Sequence, residues 1–222
     1  MTAFRERLRA LPSFPPTLPS PGIVIDDPDA APPTPHELFA HWFDDAVQAG
    51  VLAPHAVTLS TADAAGHVHA RTLVLKDVND DGWWFAGRAD SPKGRDLAAN
   101  PQAAMTFFWR ELGRQVRVTG NVTAAGADAG AADFAARPEG SRAAGLVGHQ
   151  SDPLGSRAEY DTEFARALDA VRRDPELVAP AWTAWVLTPV EVEFWQASES
   201  RAHLRLHYRA EGTGWGRSML WP

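Results

Sequence analysis

Beyond residue 55 the apolar residues recur mainly at spacing two, between short clusters of Asp, Asn and Gly, and this pattern constrains the fold more than any other feature of the chain. It predicts strands over 56–61, 67–78 and 83–86, joined by turns at 63–66 and 79–82. Two more are expected over 103–110 and 115–123 about a turn at Gly113, and closing strands over 182–195, 202–209 and 215–220. Between them Ser91-Pro92 opens a short helix that Asn100-Pro101 ends. Residues 124–136 and 156–173 also read as helices, the second lined by Phe164, Leu168 and Val171. Strands in this number with helices inserted imply a mainly β fold with α decoration, an antiparallel barrel that is closed or nearly closed.

The start of the chain is different. Pro12, Pro15, Pro16, Pro19, Pro21, Pro28, Pro32, Pro33 and Pro35 deny it a helix or a central strand, so residues 1–33 are expected to form an arm and 34–222 a single domain. Thr34-Pro35-His36-Glu37 then combines an N-cap, a proline at the first helical position and a capping-box glutamate. Leu38, Phe39, Trp42, Phe43, Ala46 and Val47 follow at helical spacing as far as Gly50. The chain has no cysteine, which excludes disulfides, thiolate metal sites and a thiol nucleophile and permits a reducing compartment. Its net charge of −7 disfavours nonspecific nucleic-acid binding. The longest uncharged apolar runs, such as 182–190, are far too short for a membrane span. A cytoplasmic protein with neither membrane nor nucleic-acid partner is expected, and any anionic ligand must be caught by a few placed cations.

Three clusters could do that. In Arg201-Ala202-His203-Leu204-Arg205-Leu206-His207, strand alternation would put Arg201, His203, Arg205 and His207 on one face. Such a row is either a solvated basic face or a pocket wall for phosphate or carboxylate. In Arg71-Thr72-Leu73-Val74-Leu75-Lys76 the two cations are five positions apart, so they serve one ligand only if the strand bends, ends or wraps around it; otherwise this is an edge strand with charged ends. Ser91, Lys93 and Arg95 surround a helix N-terminus, a place that favours phosphate, although ordinary capping explains Ser91 equally well. His67, His69, His203 and His207 lack carboxylates at ligand spacing, so no metal site is expected. Ser141 and Ser151 have no nucleophile-elbow context, and neither a dinucleotide fingerprint nor a P-loop is present.

Taken together, Arg71-Thr72-Leu73-Val74-Leu75-Lys76, Ser91-Pro92-Lys93-Gly94-Arg95, Arg114-Gln115-Val116, Arg137-Pro138, Gln150-Ser151 and Glu193-Phe194-Trp195-Gln196 followed by Arg201-Ala202-His203-Leu204-Arg205 resemble the pyridoxamine 5′-phosphate oxidase family in order and spacing from about Pro35 onward. The resemblance implies an FMN-binding split β-barrel that forms a homodimer, with FMN in two grooves between the subunits. It implies cofactor contacts at Arg71, Thr72, Leu73, Val74, Leu75, Lys76, Ala86, Gly87, Lys93, Gln115, Gln150, Ser151, Trp195 and Arg205. Substrate contacts fall on Lys76, Arg137, Ser141, Arg201 and His203, the last two being the catalytic pair. His207 and Arg209 have no family role and keep the solvated reading. The implied reaction oxidises pyridoxamine or pyridoxine 5′-phosphate to pyridoxal 5′-phosphate, passing a hydride to flavin and then electrons to oxygen.

Several positions depart from the pattern. Asp133 stands where the family usually has a tyrosine on the substrate phosphate, four residues before Arg137. A carboxylate there disfavours phosphate unless it turns to solvent or pairs with an arginine. The family's Tyr-Thr flavin contact is Ala86-Gly87, the arginine of its Ser-Arg-Lys element is Pro92, and its C-terminal Arg-Leu-x-Pro is Met219-Leu220-Trp221-Pro222. Arg88 and Arg95 are the candidates to replace the missing charge. The N-terminal substrate-covering motif is not recognisable. These departures keep two alternatives open: an FMN-dependent oxidase of another aromatic metabolite, as in phenazine biosynthesis, and a noncatalytic flavin-binding split-barrel protein.

Overall fold

The elements run in the order α1 (Phe4–Arg9), α2 (Pro35–Gln48), β1 (Ala56–Ala62), β2 (Val68–Val74), β3 (Asp77–Asn79), β4 (Gly82–Arg88), α3 (Pro92–Ala99) and β5 (Gln102–Trp109). A 3-10 turn (Arg110–Leu112) leads to β6 (Arg114–Ala124), α4 (Ala127–Ala135), α5 (Glu139–Val147), α6 (Arg157–Arg173), β7 (Trp182–Gln196), β8 (Leu204–Glu211) and β9 (Gly214–Met219). The structure, a computed structural model, describes residues 3–15, 17–19, 22–198 and 200–222. The strand order is β2-β1-β5-β6-β7-β4-β3, with β8 paired to β7 and β9 to β8. The pairs β3–β4, β4–β7, β7–β8 and β8–β9 are antiparallel. The chain divides into two compact units, one of residues 1–57, 105–118 and 190–222, the other of 58–104 and 119–189.

The first unit is organised by α2. Its capping box closes as the sequence predicts: Thr34 Oγ1 accepts from the Glu37 amide at 3.3 Å, and Glu37 Oε2 accepts from the Thr34 amide at 3.2 Å. Leu38, Phe39, Trp42 and Ala46 are buried, Phe39 lying 4.9 Å from Phe107 and Trp42 meeting the Phe194 ring edge-on at 5.2 Å. Arg114 is buried beside them, its guanidinium 4.5 Å over Trp42 and 2.8 Å from Asp45 Oδ2, so the charge enters the interior already paired. The stretch before α2 is tied down as well. Ile25 and Ala31 are buried, the Tyr208 hydroxyl donates to Pro32 O at 2.8 Å, and Arg217 donates to Ala31 O at 2.6 Å. One expectation fails here, because Phe4–Arg9 is helical. This helix ends before Pro12, so the proline argument does not reach it. Pro16 and Pro21 lie outside the described residues.

In the second unit β4 faces β7 in the register Trp83↔Leu187, Phe85↔Trp185 and Gly87↔Thr183. Helix α3 starts where Ser91 caps it, accepting from the Gly94 amide. Helix α5 is not among the helices read from the sequence. It packs through small residues: a Cβ built on Gly145 would lie 2.9 Å from the Phe134 ring. Buried Arg142 on α5 donates to Pro175 O and Leu177 O and lies over Phe134. Among the described residues no helix is long and apolar enough to cross a membrane.

Gly94 allows α3 to approach the preceding turn, since a Cβ there would lie 2.1 Å from Ala89 O, whereas one on Gly140 meets nothing within 4 Å. Gly94→Ala is expected to cost about 1–3 kcal/mol in denaturant unfolding. Gly140→Ala, in an open helical position, is expected to gain about 0.5–1 kcal/mol. Equal effects of the two would contradict this packing.

Candidate functional site

The second unit gathers cations at the N-terminus of α3. β2 is an edge strand, and its Thr72 and Val74 are exposed while Leu73 and the following Leu75 are half-buried. Arg71 turns inward, donating to Leu59 O at 3.2 Å and to Thr61 Oγ1 at 2.8 Å, with Asp96 at 3.8 Å. Asp96 is itself buried, accepting from the Thr61 hydroxyl at 2.6 Å and lying 3.1 Å from His69 Nδ1. Burial lowers the Arg71 pKa, and Asp96 opposes that shift. Lys93 is buried too, with Nζ donating to Ser91 Oγ at 2.8 Å and to Gln150 Oε1 at 3.4 Å. A Cβ on Gly87 would sit 2.6 Å from Lys93 Cε, so the bare backbone of Gly87, next to Ala86, is what lets the lysine lie across β4. Arg88 is charge-paired, whereas Arg95 is held by a backbone carbonyl that leaves its charge in place. Arg88 forks onto Asp90 and donates to Gly145 O, and Arg95 is bonded to Asp90 O.

Lys76 lies just past the end of β2, its amide donating to Trp84 O, so the strand ends before the second cation. Its Nζ is 3.1 Å from Asp133 Oδ1, and Asp133 Oδ2 accepts from Trp182 Nε1 at 2.8 Å. Asp133 therefore neither turns to solvent nor pairs with an arginine; it pairs with the lysine. Arg137 lies on the same indole, its guanidinium 4.3 Å over the Trp182 ring, and its buried Nε has no hydrogen-bond partner among the described residues. Burial lowers the Arg137 pKa, against the attraction of Asp133. Lys76, Asp133 and Ala86 border a cavity of about 220 Å³. Arg137, Ser141, Gln150, Ser151 and Trp182 line another of about 730 Å³.

The first unit holds the remaining expected positions. Gln115 is half-buried on β6, and Trp195 on β7 faces Arg205 on β8. Arg205 is fully engaged, with Nε and Nη2 donating to the buried Glu193 carboxylate at 2.9 and 3.0 Å and Nη1 donating to Trp221 O at 2.7 Å. Those bonds raise its pKa further. The alternation expected over 201–207 is broken. β8 begins at Leu204, and Arg201 sits in a turn with φ +62°, its amide donating to Ser198 O, so Arg201 is not in the row. His203 stands 4.7 Å from the Trp195 ring, and its Nδ1 accepts from the Ser198 amide at 3.1 Å. His207 is not solvated as expected: it is half-buried, 3.7 Å from Glu191, which also pairs with exposed Arg209.

One participant and one pairing escape a sequence reading. Phe14 from the proline-rich segment stacks on Trp195 at 5.7 Å, which no spacing foretells. The Asp133 to Lys76 pair joins positions far apart in the chain. Glu193 had a signal, for on β7 it shares a face with Trp195 and so meets Arg205 diagonally.

Lys93 makes a pH prediction. Its pKa falls from 10.5 to about 8, first through burial and then through the nearby Arg71 and Arg88, with Asp90 opposing. Between about pH 8 and 10.5 the unfolded chain binds a proton that the folded chain has released, so stability rises with pH across that window and the cost of charged Lys93 is fully present below it. In ligand-free thermal melts, Lys93→Met is expected to be more stable than wild type at pH 7, with the difference shrinking above pH 8. A difference constant over pH would contradict the burial of a charged lysine.

Comparison with known proteins bears on the family and the fold. Residues 43–196 match the family described as pyridoxamine 5′-phosphate oxidase, and 182–222 match the pyridoxine 5′-phosphate oxidase C-terminal dimerisation region. A pyridoxine/pyridoxamine 5′-phosphate oxidase of Pseudomonas paraeruginosa is 43% identical over 86% of this chain and 90% of its own length. One from Rubrobacter xylanophilus is 38% identical over 87% and 89%. Among solved structures, PhzG from Burkholderia lata in complex with tetrahydrophenazine-1-carboxylic acid superposes with a TM-score of 0.83 at 28% identity, covering 90% of this chain and 98% of that one. The fold class expected from the sequence, a mainly antiparallel split barrel with helices, holds. By both the extent of the match and the identity of its relatives, the chain belongs to the pyridoxamine 5′-phosphate oxidase family.

Proposed function

We propose that the protein is an FMN-dependent oxidase converting pyridoxamine and pyridoxine 5′-phosphate to pyridoxal 5′-phosphate, working as a homodimer with FMN between the subunits. The observation that carries this reading is the corner at α3, where Arg71, Arg88 and buried Lys93 meet and Lys93 Nζ is bonded only to Ser91 and Gln150 among the described residues. Lys93 is buried with neutral hydrogen-bond partners and no carboxylate of its own among the described residues, and a phosphate monoester fits beside it. Arg71 and Lys93, with Gln150 and Ser151 nearby in the chain fold, would hold that phosphate. Trp195 and Arg205 lie within the dimerisation region at 182–222, which supports their being contributed by a second copy.

Bound FMN would supply the two-electron acceptor, with oxygen as final oxidant. The chain's own residues bind and orient. Arg137 and Ser141 would hold the substrate's 5′-phosphate, Arg137 being kept in place by the Trp182 face. His203 contributes through its protonation state. Because Nδ1 accepts from the Ser198 amide, the neutral ring carries its proton on Nε2 and presents a donor, so it orients the substrate nitrogen or oxygen. Service as proton acceptor requires the Ser198 contact to open. Arg201, exposed in its turn, would add a positive charge close to the same group. The amine substrate loses a hydride from carbon and a proton from nitrogen; water then hydrolyses the imine to aldehyde and ammonia.

A second reading, an oxidase of another aromatic metabolite, is favoured by one observation: Asp133 occupies Lys76. The likeness to PhzG supports it as well. Anaerobic bleaching of the flavin-loaded protein separates the two. Pyridoxamine 5′-phosphate is expected to bleach it, and bleaching by a reduced phenazine carboxylate alone would favour the second. Arg201→Ala and His203→Ala are expected to lower kcat by about a hundredfold while FMN affinity changes little. Equal losses in both would overturn the division of roles.

A further inference from the structure

Lys76, Asp133, Trp182 and Arg137 form one contiguous cluster. Asp133 Oδ1 is 3.1 Å from Lys76 Nζ, its Oδ2 accepts from Trp182 Nε1 at 2.8 Å, and Arg137 lies 4.3 Å over the same indole. Asp133 and Arg137 are four residues apart, at and just beyond the end of α4, which is why one tryptophan meets both. Both carboxylate oxygens of Asp133 have partners, and its side chain is 16% exposed, so the carboxylate is built into the cluster. The three ionised groups sum to one positive charge, where Lys76 and Arg137 alone would present two.

We infer that Asp133 sets specificity at the substrate's 5′ end, cancelling the charge of Lys76 so that a phosphate dianion gains little over an uncharged hydroxymethyl group. This rests on the function proposed above and names the breadth of substrate that the same site accepts. A phosphate entering beside Lys76 must either displace Asp133, leaving Trp182 Nε1 and the carboxylate to find other partners, or stay close to a like charge. An unphosphorylated pyridine incurs neither cost. The protein therefore takes phosphorylated and unphosphorylated pyridines with similar affinity, Arg137 and Ser141 providing what preference remains.

The test uses ligands that cannot be oxidised, 4-deoxypyridoxine 5′-phosphate and 4-deoxypyridoxine, titrated calorimetrically into the flavin-loaded protein. In wild type the two dissociation constants are expected to lie within about tenfold of each other. Asp133→Asn keeps an acceptor for Trp182 Nε1 and removes the charge; it is expected to tighten the phosphorylated ligand alone by about tenfold to a hundredfold. Asp133→Tyr should move in the same direction, and Lys76→Met placed on Asp133→Asn should cancel the gain. If Asp133→Asn tightens both ligands equally or neither, or if wild type already prefers the phosphorylated ligand by about a thousandfold, the assignment to Asp133 is overturned while the proposed oxidase stands. If neither ligand binds any of the folded proteins, the proposed function falls and this inference falls with it.

Discussion

A guanidinium or ammonium taken out of water loses several kcal/mol of hydration unless hydrogen bonds and opposite charge replace it, and this chain buries its cations under that constraint. Arg114 enters the interior against Asp45 and the face of Trp42. Arg142 is met by two backbone carbonyls and Phe134, and Arg205 by both oxygens of Glu193. Arg114 and half-buried Arg205 meet carboxylates, while Arg142 is held by backbone carbonyls with its Nε unbonded among the described residues, and all three join distant parts of the fold. Lys93 is compensated only by a hydroxyl and an amide oxygen, and stands near two arginines. The difference separates cations bonded to carboxylates or backbone from one held by two neutral side chains.

Much of this organisation was legible in the residues. Thr34 and Glu37 announce α2 because a capping box is a local device, complete within four residues. The strands on either side of Gly113 follow from alternation alone. Failures occur where long-range or backbone geometry decides. Helix α5 rests on the close approach of Gly145 to Phe134, a contact between positions eleven residues apart that no local pattern announces. The 201–207 row is cut because Arg201 adopts a left-handed conformation, which an arginine in isolation gives no reason to expect. Similarly, the pairing of Asp133 with Lys76 is fixed by where α4 meets the end of β2, not by anything adjacent to either residue.

Glycine at 87 shows how a departure from the family pattern is absorbed. Losing a side chain there removes one contact that the resemblance implies, yet the vacated volume is what Lys93 crosses to reach Ser91 and Gln150. The substitution at 87 and the placement of Lys93 are therefore one structural event. Pro92, next to it, keeps the start of α3 rigid where the family's arginine would have contributed charge.

The first unit draws on both extremities of the polypeptide, and its early segment is moored by Tyr208 and Arg217 from the last hairpin. During vectorial synthesis Pro32 and Trp42 are made long before Tyr208, Arg217 and Phe194, so these contacts close only after the later strands have been added. Removing β8 and β9 would therefore release a segment that lies 176 residues earlier in the chain.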